Sequence, residues 1–280
     1  PVVYEVRALW EDAAVDHGTF QEGSLKYRTS RLIETNLFKK VDALFTICDG
    51  LKREMISRGI SDDKITVIPN CVDTGFFSTC EYDEEIAERF NLRGKTVFGF
   101  IGSFYNYEGI DLLIDSYMKM LQKRNSISLF LVGDGPEKDA LYNKAEKAGL
   151  MGHVIFTGKV PHEDIKKYYS VIDVLVYPRK KMRLTELVTP LKPLEAMTMG
   201  KVVVGSNVGG IRELITHDKD GFLFKAGDVN ELSSLLVELI DDKKALSRIS
   251  TAAVKTIQKK HRWDMIIQRY LPVYKRLIHV

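Results

Sequence analysis

The chain of 280 residues contains 45% hydrophobic and 28% charged residues and carries a formal net charge of +3. This length exceeds the usual size of a single hydrophobic core and therefore predicts two domains. A charge of +3 is too small to indicate a nucleic-acid partner without a concentrated basic face. The cysteines Cys48, Cys71 and Cys80 form no C-x-x-C pair, which favours reduced thiols in a cytoplasmic protein and gives little support to metal binding.

The first apolar run, VVYEV at residues 2–6, has the pattern of a strand already in progress, so we expect a fragment of a longer chain. No run approaches the length of a membrane span, and the amino end lacks the pattern of a signal peptide. Further short β-branched or aromatic runs alternate with segments of helical periodicity. This alternation predicts βαβ units and parallel sheets.

The predicted strands cover residues 2–6, 43–47, 65–69, 96–102, 128–133, 154–158, 174–178, 201–206 and 221–224. The predicted helices cover residues 110–123, 136–149, 163–171, 193–199, 209–215 and 229–241. Residues 69–95 mix turn formers, cysteines and an acidic helical pattern, and we interpret them as a linker between domains. The last segment has apolar residues at helical spacing, and Pro272 is expected to kink it.

Two glycine-containing turns follow predicted strands, where parallel sheets bind their ligands. GSFYNYEG, residues 102–109, leads into a helix and would let the backbone approach a phosphate; an ordinary βα turn is the alternative. LVGDGPEKDAL, residues 131–141, repeats this arrangement after the next strand. Lys138 occupies the third glycine position of GxGxxG, which disfavours a nicotinamide or flavin site.

The stretch RKKMRLTELVTPLKPLEAMTMG, residues 179–200, concentrates positive charge after another strand. On a solvated face its cations would repel one another, whereas a diphosphate would neutralise several of them. Lys192 opens a predicted helix, and Glu195 in its first turn could accept hydrogen bonds from ribose hydroxyls. The sequence therefore favours a nucleotide diphosphate here, with a plain surface loop as the alternative. The cations of the first part of the stretch are Arg179, Lys180, Lys181 and Arg183.

NVGGIRELI, residues 207–215, places Glu213 early in a helix, where a turn with a cap is the preferred interpretation. The histidines show no metal-ligand spacing, and we interpret them as surface or capping residues rather than catalytic bases. They are His17, His153, His162, His217, His261 and His279.

Several of these motifs, in their order and spacing, resemble the GT-B retaining glycosyltransferases of family 4, also called glycosyltransferase group 1. The resemblance runs from about residue 41 to the end and rests on ITVIPNCVD, the strand and turn at 96–109, LVGDGPEKDAL, VIFTGKVPHEDI and LKPLEAMTMGKVVVGSNVGGIRELITHDKDGFLF. PVVYEVRALWED and RLTELVTPLKPLEAM are most similar to a bacterial subgroup associated with exopolysaccharide and exosortase gene clusters.

The resemblance implies an α/β, GT-B fold with two Rossmann-like doubly wound domains, of which the amino-terminal one is incomplete. It implies a partial acceptor-side domain with linker at 1–92, a nucleotide-sugar-binding domain at 93–260, and a crossover helix at 261–280 that packs back on the first domain. The implied catalytic residues are Arg7, Arg179 and Lys192. The implied donor residues are Gly102, Ser103, Gly133, Val160, Arg183, Leu191 and Glu195 for the nucleotide and Glu186, Thr189 and Pro190 for the sugar.

The chain departs from the family pattern at several positions. Leu187 stands where the first acid of the E-x7-E motif belongs, with Glu186 one residue early. Ser103 and Glu108 replace the Arg and Lys that clamp the phosphates, and we expect Arg179, Arg183 and Lys192 to supply the lost charge. In addition, Cys71 replaces a glycine, and Arg7 stands where many relatives have an active-site histidine.

The resemblance further implies sugar transfer from a UDP- or GDP-linked donor, with retention and without a metal or other cofactor, to a glycan or lipid-linked acceptor. Such a protein would be cytoplasmic, with peripheral contact at the inner face of the membrane. A homodimer is also expected, because an incomplete sheet exposes edges and apolar faces. Two alternatives are a nucleotide-sugar epimerase and a non-catalytic nucleotide- or partner-binding remnant of a glycosyltransferase.

Overall fold

The structure, a computed structural model, describes residues 1–16 and 18–278. The predictions for His17 and His279 lie outside these residues. The strands are β1 (Val3–Val6), β2 (Ala43–Thr46), β3 (Ile65–Val67), β4 (Thr96–Ile101), β5 (Ile127–Val132), β6 (Val154–Gly158), β7 (Val174–Tyr177), β8 (Val202–Ser206) and β9 (Phe222–Phe224). They form two parallel sheets, one with the order β1-β2-β3 and one with the order β6-β5-β4-β7-β8-β9.

The helices are α1 (Trp10–Asp16), α2 (Leu25–Lys40), α3 (Asp49–Ser57), α4 (Glu84–Arg89), α5 (Ile110–Leu121), α6 (Lys138–Lys147), α7 (Ile165–Ser170), α8 (Arg183–Leu187), α9 (Lys192–Thr198), α10 (Gly209–Arg212), α11 (Val229–Asp241), α12 (Lys243–Lys260), α13 (Trp263–Ile266) and α14 (Tyr270–Ile278). Short 3-10 turns at residues 62–64, 106–108, 162–164 and 267–269 complete the elements.

Each predicted strand is found within two residues of its expected bounds. Their continuous apolar runs reflect burial on both faces, as in β5, where all six residues are buried. The helices expected at 110–123 and 229–241 correspond to α5 and α11. The prediction of α/β parallel sheets is thus confirmed.

Two long helices, α2 and α12, are absent from the sequence prediction. Each has a narrow buried side: α2 buries Tyr27, Glu34 and Phe38, and α12 buries Ile249, Ala253 and Ile257. Side chains three or four residues apart share one face of a helix, so three buried side chains are enough to pack each of these mostly polar helices on the protein. The acidic helical pattern noted within residues 69–95 forms α4, and the Asp83 side chain caps it by accepting a hydrogen bond from the Ile86 amide in its first turn.

The last helices pack on the three-stranded sheet. Ile266 and Val273 share a hydrophobic cluster with Ala43, Phe45 and Ile68 from the sheet side. A short 3-10 turn separates α13 from α14, so the predicted break lies just ahead of Pro272. Pro272 itself occupies the first turn of α14, where a missing N–H removes no intrahelical hydrogen bond. The domain boundaries at 92 and 260 remain a prediction.

Candidate functional site

A cavity of about 490 Å³ opens at the carboxyl ends of β4, β5 and β6. Gly102, Ser103, Gly133 and Val160 line it, so the structure brings together four of the residues expected to bind the nucleotide. Ligands of open parallel sheets bind at this edge, near the point where the strand order reverses. Here the reversal lies at β4, which has β5 on one side and β7 on the other.

The two turns at the cavity need glycine for close backbone approach. Gly102 and Gly133 have φ values of 145° and 140°, which side chains rarely adopt. A Cβ atom on Gly133 would lie 1.9 Å from the carbonyl oxygen of Gly102, and one on Gly102 would lie 2.2 Å from Cε of Lys192. The turns are therefore packed against each other and against Lys192 in a way that only glycine permits.

Glu195 lies in the first turn of α9, as expected, and is half-buried. Its Oε2 accepts a hydrogen bond of 3.1 Å from the hydroxyl of the fully buried Tyr169. Burial raises the pKa of the Glu195 carboxyl, while the Tyr169 hydrogen bond and the nearby His162 and Lys192 oppose that rise. The carboxylate is thus held in place by one partner, which leaves acceptor capacity for a ligand hydroxyl.

Lys192 and Arg179 both contact Glu108, an acid that follows β4. Lys192 Nζ donates a hydrogen bond of 2.5 Å to Glu108 Oε1, and Arg179 Nε lies 3.6 Å from Oε2. Arg179 also lies over the Tyr107 ring and donates to the carbonyl oxygen of Val188, and its side chain is only 5% exposed. In this structure Arg179 is therefore covered and does not present a free charge to the cavity.

The repulsion expected within the basic stretch is offset, because acids from distant parts of the chain pair with Arg179, Lys180, Arg183 and Lys192. Lys180 Nζ lies 3.0 Å from Asp111 Oδ2. Arg183 makes ion pairs with Asp12 at 2.9 Å and Glu54 at 2.6 Å, both of which belong to helices beside the three-stranded sheet. In this structure the charge of Arg183 is paired with these two acids, and its expected role at the phosphates stays a prediction. Of the three cations expected there, Lys192 is the one that lies against a cavity turn.

The residues expected at the donor sugar lie in α8 and in the segment that joins it to α9. Glu186 Oε2 accepts hydrogen bonds from the Gly209 amide and from Arg212, so this acid ties α8 to α10. Thr189 is buried, and its carbonyl oxygen accepts a hydrogen bond from Asn70 Nδ2 at 3.1 Å. Pro190 follows it, half-buried.

Arg7 and Leu191 line a second, smaller cavity of about 120 Å³, together with Cys71 and Trp263. Arg7 also donates a hydrogen bond of 3.1 Å to Asn70 Oδ1. The structure thus separates Arg7 and Leu191 from the residues at the first cavity. A chain of hydrogen bonds from Arg7 through Asn70 to Thr189 joins the segment after β1 to the segment before α9.

Sequence reasoning missed the contributions of Asn70, Lys159 and Glu213. Lys159 lines the first cavity, beside the Val160 that the sequence did indicate. Glu213, interpreted as a local cap, instead accepts hydrogen bonds from the amides of Asp49 and Gly50 at the start of α3. The Gly-Gly turn before Glu213 was the only local sign that this acid matters. The neighbouring sequence could not show that its partners are amides more than 160 positions away.

Another cavity, of about 550 Å³, lies at the amino-terminal ends of β4 and β5, near Thr96 and Ile127. We do not assign it, because ligands of parallel sheets bind at the opposite edge. Within residues 1–16 and 18–278, no three His, Cys, Asp or Glu side chains gather as a metal ion would require. Among the helices of the described part, none combines the length and apolar character that a bilayer span needs.

Comparison with known proteins relates the chain to glycosyltransferases. An uncharacterised glycosyltransferase of Methanocaldococcus jannaschii, MJ1607, is 28% identical over 239 residues, which cover 83% of this chain and 59% of the relative. A GDP-mannose-dependent alpha-(1-6)-phosphatidylinositol monomannoside mannosyltransferase of Mycobacterium tuberculosis is 24% identical over 65% of this chain and 48% of its own length. The chain thus spans about half to three fifths of these relatives.

A crystal structure of Anabaena HepE in complex with UDP and glucose superposes with a TM-score of 0.82 at 20% identity, over all of this chain and 72% of HepE. The structural neighbours have the GT-B fold, so the expected fold class is confirmed. The family model of glycosyltransferase family 4 matches residues 1–76, and that of the glycosyl transferases group 1 matches residues 82–256. The chain therefore belongs to the glycosyl transferases group 1.

Proposed function

We propose that this chain binds a UDP- or GDP-linked sugar and transfers the sugar, with retention and without a metal ion, to a glycan or lipid-linked acceptor. The observation that carries the proposal is a strand-end cavity lined by two glycine turns, with Lys192 packed against one of them and Glu195 in the same first turn of α9 as Lys192, in a chain of this family. Two sets of groups are needed for a nucleotide diphosphate: acceptors for ribose hydroxyls and donors or cations for phosphate oxygens. The neighbourhood of this cavity offers both.

In the proposed arrangement the backbone at Val160 meets the base, Glu195 accepts the ribose hydroxyls, and the turns at Gly102 and Gly133 face the diphosphate. Lys192 stabilises the charge that develops on the departing nucleoside diphosphate as the sugar acquires oxocarbenium character. The acceptor hydroxyl attacks from the same face as the bond to the diphosphate breaks, and its proton passes to an oxygen of the departing diphosphate. Closure of the cleft excludes water and so limits hydrolysis of the donor.

The residues before α9 complete the proposed site. Glu186, Thr189 and Pro190 would contact the donor sugar, and Arg7 would approach the diphosphate from the other side of the cleft. The exposed Arg7 guanidinium, 59% accessible, retains donors beyond those used for Glu5 and Asn70.

The relatives support the substrate classes. HepE is solved with UDP and glucose, and the mycobacterial relative is named for a GDP-mannose donor and a phosphatidylinositol-linked acceptor. We extend this to a bacterial protein of surface-polysaccharide or exopolysaccharide biosynthesis that works in the cytoplasm. A lipid-linked acceptor would place it in peripheral contact with the inner face of the membrane.

Incubation of the chain, and of a longer form that completes the relatives' length, with radiolabelled UDP- and GDP-sugars tests the reaction. Transfer to an acceptor extract, or slow release of free sugar, is the expected result. An isomerised donor would instead indicate an epimerase. Nucleotide binding without turnover by either form would indicate a non-catalytic remnant, and Leu187 at the first acid position is the sequence feature that favours this second candidate.

The ribose contact can be tested separately with Glu195→Ala and isothermal titration calorimetry. Loss of the acceptor should weaken UDP binding by about 1–3 kcal/mol. The variant should also lose the preference for UDP over 2′-deoxy-UDP, which reports on a contact to the ribose rather than on folding. The exposed Glu146→Ala provides a control. An unchanged preference in Glu195→Ala would remove the ribose role.

A further inference from the structure

One buried carboxylate collects cations from two separate loops at the point where the strand order reverses. Glu108 follows β4 and is only 3% exposed. Lys192, the first residue of α9, donates to its Oε1 at 2.5 Å, and Arg179, which follows β7, lies 3.6 Å from its Oε2. We call the side chains of Glu108, Arg179 and Lys192 the Glu108 cluster. With two cations and one anion, the cluster carries one net positive charge.

The exposure of the three side chains is unequal. Glu108 and Arg179 are 4% and 5% accessible, whereas Lys192 is 22% accessible. The Lys192 stem lies against Gly102, since a Cβ there would come within 2.2 Å of its Cε and 2.8 Å of its Nζ. Gly102 in turn lines the strand-end cavity. The Lys192 ammonium group therefore lies beside the glycine turn, and the buried Glu108 carboxylate to which it is bonded is less accessible.

The resemblance described above leads to the expectation of a basic residue in this turn, and the chain has the acid Glu108 there. A carboxylate at this place could either weaken or strengthen the attraction of the site for phosphate. It would lower the attraction for phosphate if it only neutralised Lys192, and it would raise that attraction if it held the ammonium charged and correctly placed. The second effect is favoured by the burial of Lys192, because an ammonium taken out of water tends to lose its proton unless an anion accompanies it.

We propose that Glu108 is a positioning residue that holds the Lys192 ammonium against Gly102, so that Lys192 contacts the diphosphate of the nucleotide donor. In this arrangement the positive charge at the turn comes from position 192, and the acid at 108 serves as its anchor. This inference rests on the proposed function, because it assumes that a nucleoside diphosphate occupies the strand-end cavity.

The electrostatic surroundings give the proposal a pH signature. Burial lowers the pKa of the Lys192 ammonium, Glu108 and Glu195 raise it, and Arg179 lowers it further. The ring of Phe100, 5.0 Å from Nζ, also favours the charged form. Removal of the Glu108 charge would leave Lys192 beside Arg179 in a buried place, so its ammonium would deprotonate at a lower pH than in the wild type.

The test compares binding of UDP and uridine, with GDP and guanosine in parallel, by isothermal titration calorimetry at several pH values from about 6 to 9. Glu108→Gln should weaken UDP binding about tenfold near pH 7, because charge-assisted hydrogen bonds contribute about 1.5–3 kcal/mol. The loss should grow as the pH rises, and uridine binding should stay unchanged. Glu146→Gln, with the same charge change on an exposed acid of α6, should follow the wild type.

Lys192→Met should lower the affinity for UDP similarly, and the double variant Glu108→Gln/Lys192→Met should bind UDP no more weakly than either single variant.

Glu108→Asp keeps the charge on a shorter side chain and should restore part of the affinity that Glu108→Gln loses. If Glu108→Gln fails to fold, Glu108→Asp carries the test with an expected loss of a few fold. Unchanged or tighter UDP binding in Glu108→Gln would overturn the positioning role; if that variant does not fold, unchanged binding in Glu108→Asp would do so. A wild-type chain that binds neither diphosphate better than its nucleoside would instead overturn the proposed function.

Discussion

At the scale of single residues, the least expected feature is an ionic network buried between α1, α2, α3 and α8. Arg58 lies 2.5 Å from Glu11 and 3.0 Å from Glu54, and its side chain is 2% accessible. Glu34 is fully buried beside them and has long contacts to the Trp10 amide at 3.4 Å, the Tyr4 hydroxyl at 3.5 Å and Arg58 at 3.9 Å. The acids of the network are Glu11, Asp12, Glu34 and Glu54, and its cations are Arg31, Arg58 and Arg183.

This excess of acid predicts a stability that depends on pH. Burial, followed by the charge of Glu11, raises the pKa of the Glu34 carboxyl from 4.5 to about 7. The folded state therefore holds a proton that the unfolded chain releases, and the contribution of Glu34 to the free energy of unfolding falls as the pH rises from 4.5 to about 7. Glu34→Gln should raise the melting temperature more at pH 8 than at pH 5, as measured by circular dichroism. The exposed Glu22→Gln is the control, and an equal effect of Glu34→Gln at both pH values would contradict the shift.

At the scale of elements, the amino end of α3 forms a tight contact with α8 and with the residue after α10. The Asp49 and Gly50 amides donate hydrogen bonds of 2.9 Å and 2.7 Å to the Glu213 carboxylate. These amides lack partners within their own helix, so a carboxylate from a distant segment serves as their cap. On the other side, the Cys48 thiol donates to the carbonyl oxygen of Leu187 at 3.0 Å. This contact joins the three-stranded sheet to the six-stranded one.

Gly50→Ala should disrupt this contact, because the new Cβ would lie 2.5 Å from the carbonyl oxygen of Leu187, a backbone atom that cannot rotate away. We expect a loss of about 1–3 kcal/mol in the free energy of unfolding, the usual cost of overpacking, measured by urea denaturation. Gly75→Ala is a matched control, since the nearest atom to its Cβ is a side-chain oxygen of Asp73 at 3.1 Å. Equal stability of the two variants would show that α3 and α8 can separate without cost.

At the scale of the whole molecule, the three-stranded sheet and the helices on it leave apolar surface uncovered. β1 pairs with β2, and in the described residues its other edge has no strand partner. On α13, α14 and the turn between them, Trp263, Ile267 and Leu271 are 53%, 50% and 45% exposed, spaced four residues apart on one side. Apolar patches of this kind commonly mark contacts with another protein or membrane surface.

We therefore expect the chain to self-associate in a concentration-dependent way, as seen by size-exclusion chromatography with light scattering. The double variant Ile267→Lys/Leu271→Lys should weaken the association by about tenfold or more, since burial of one such side chain is worth about 1.5–3 kcal/mol. Met118→Lys on α5 adds charge at a separate exposed apolar position and should leave association unchanged. A chain that stays monomeric at high concentration, or variants that associate equally, would argue against this surface.

The sequence alone determined the strands, the turns at Gly102 and Gly133, the place of Glu195 in a first helical turn, and the family. These features depend on residues close together in the chain: a run of β-branched side chains predicts a buried strand, and a glycine after it predicts a turn. Only the tertiary structure decided how the charges pair. Lys192 meets Glu108 from 84 positions away, and Arg183 meets Asp12 from 171 positions away. Coulomb energy depends on distance in space and on burial, and neither is contained in the local pattern of a sequence. The basic stretch was therefore visible as a cluster of charges, but which of its cations lies against a cavity turn followed from the fold.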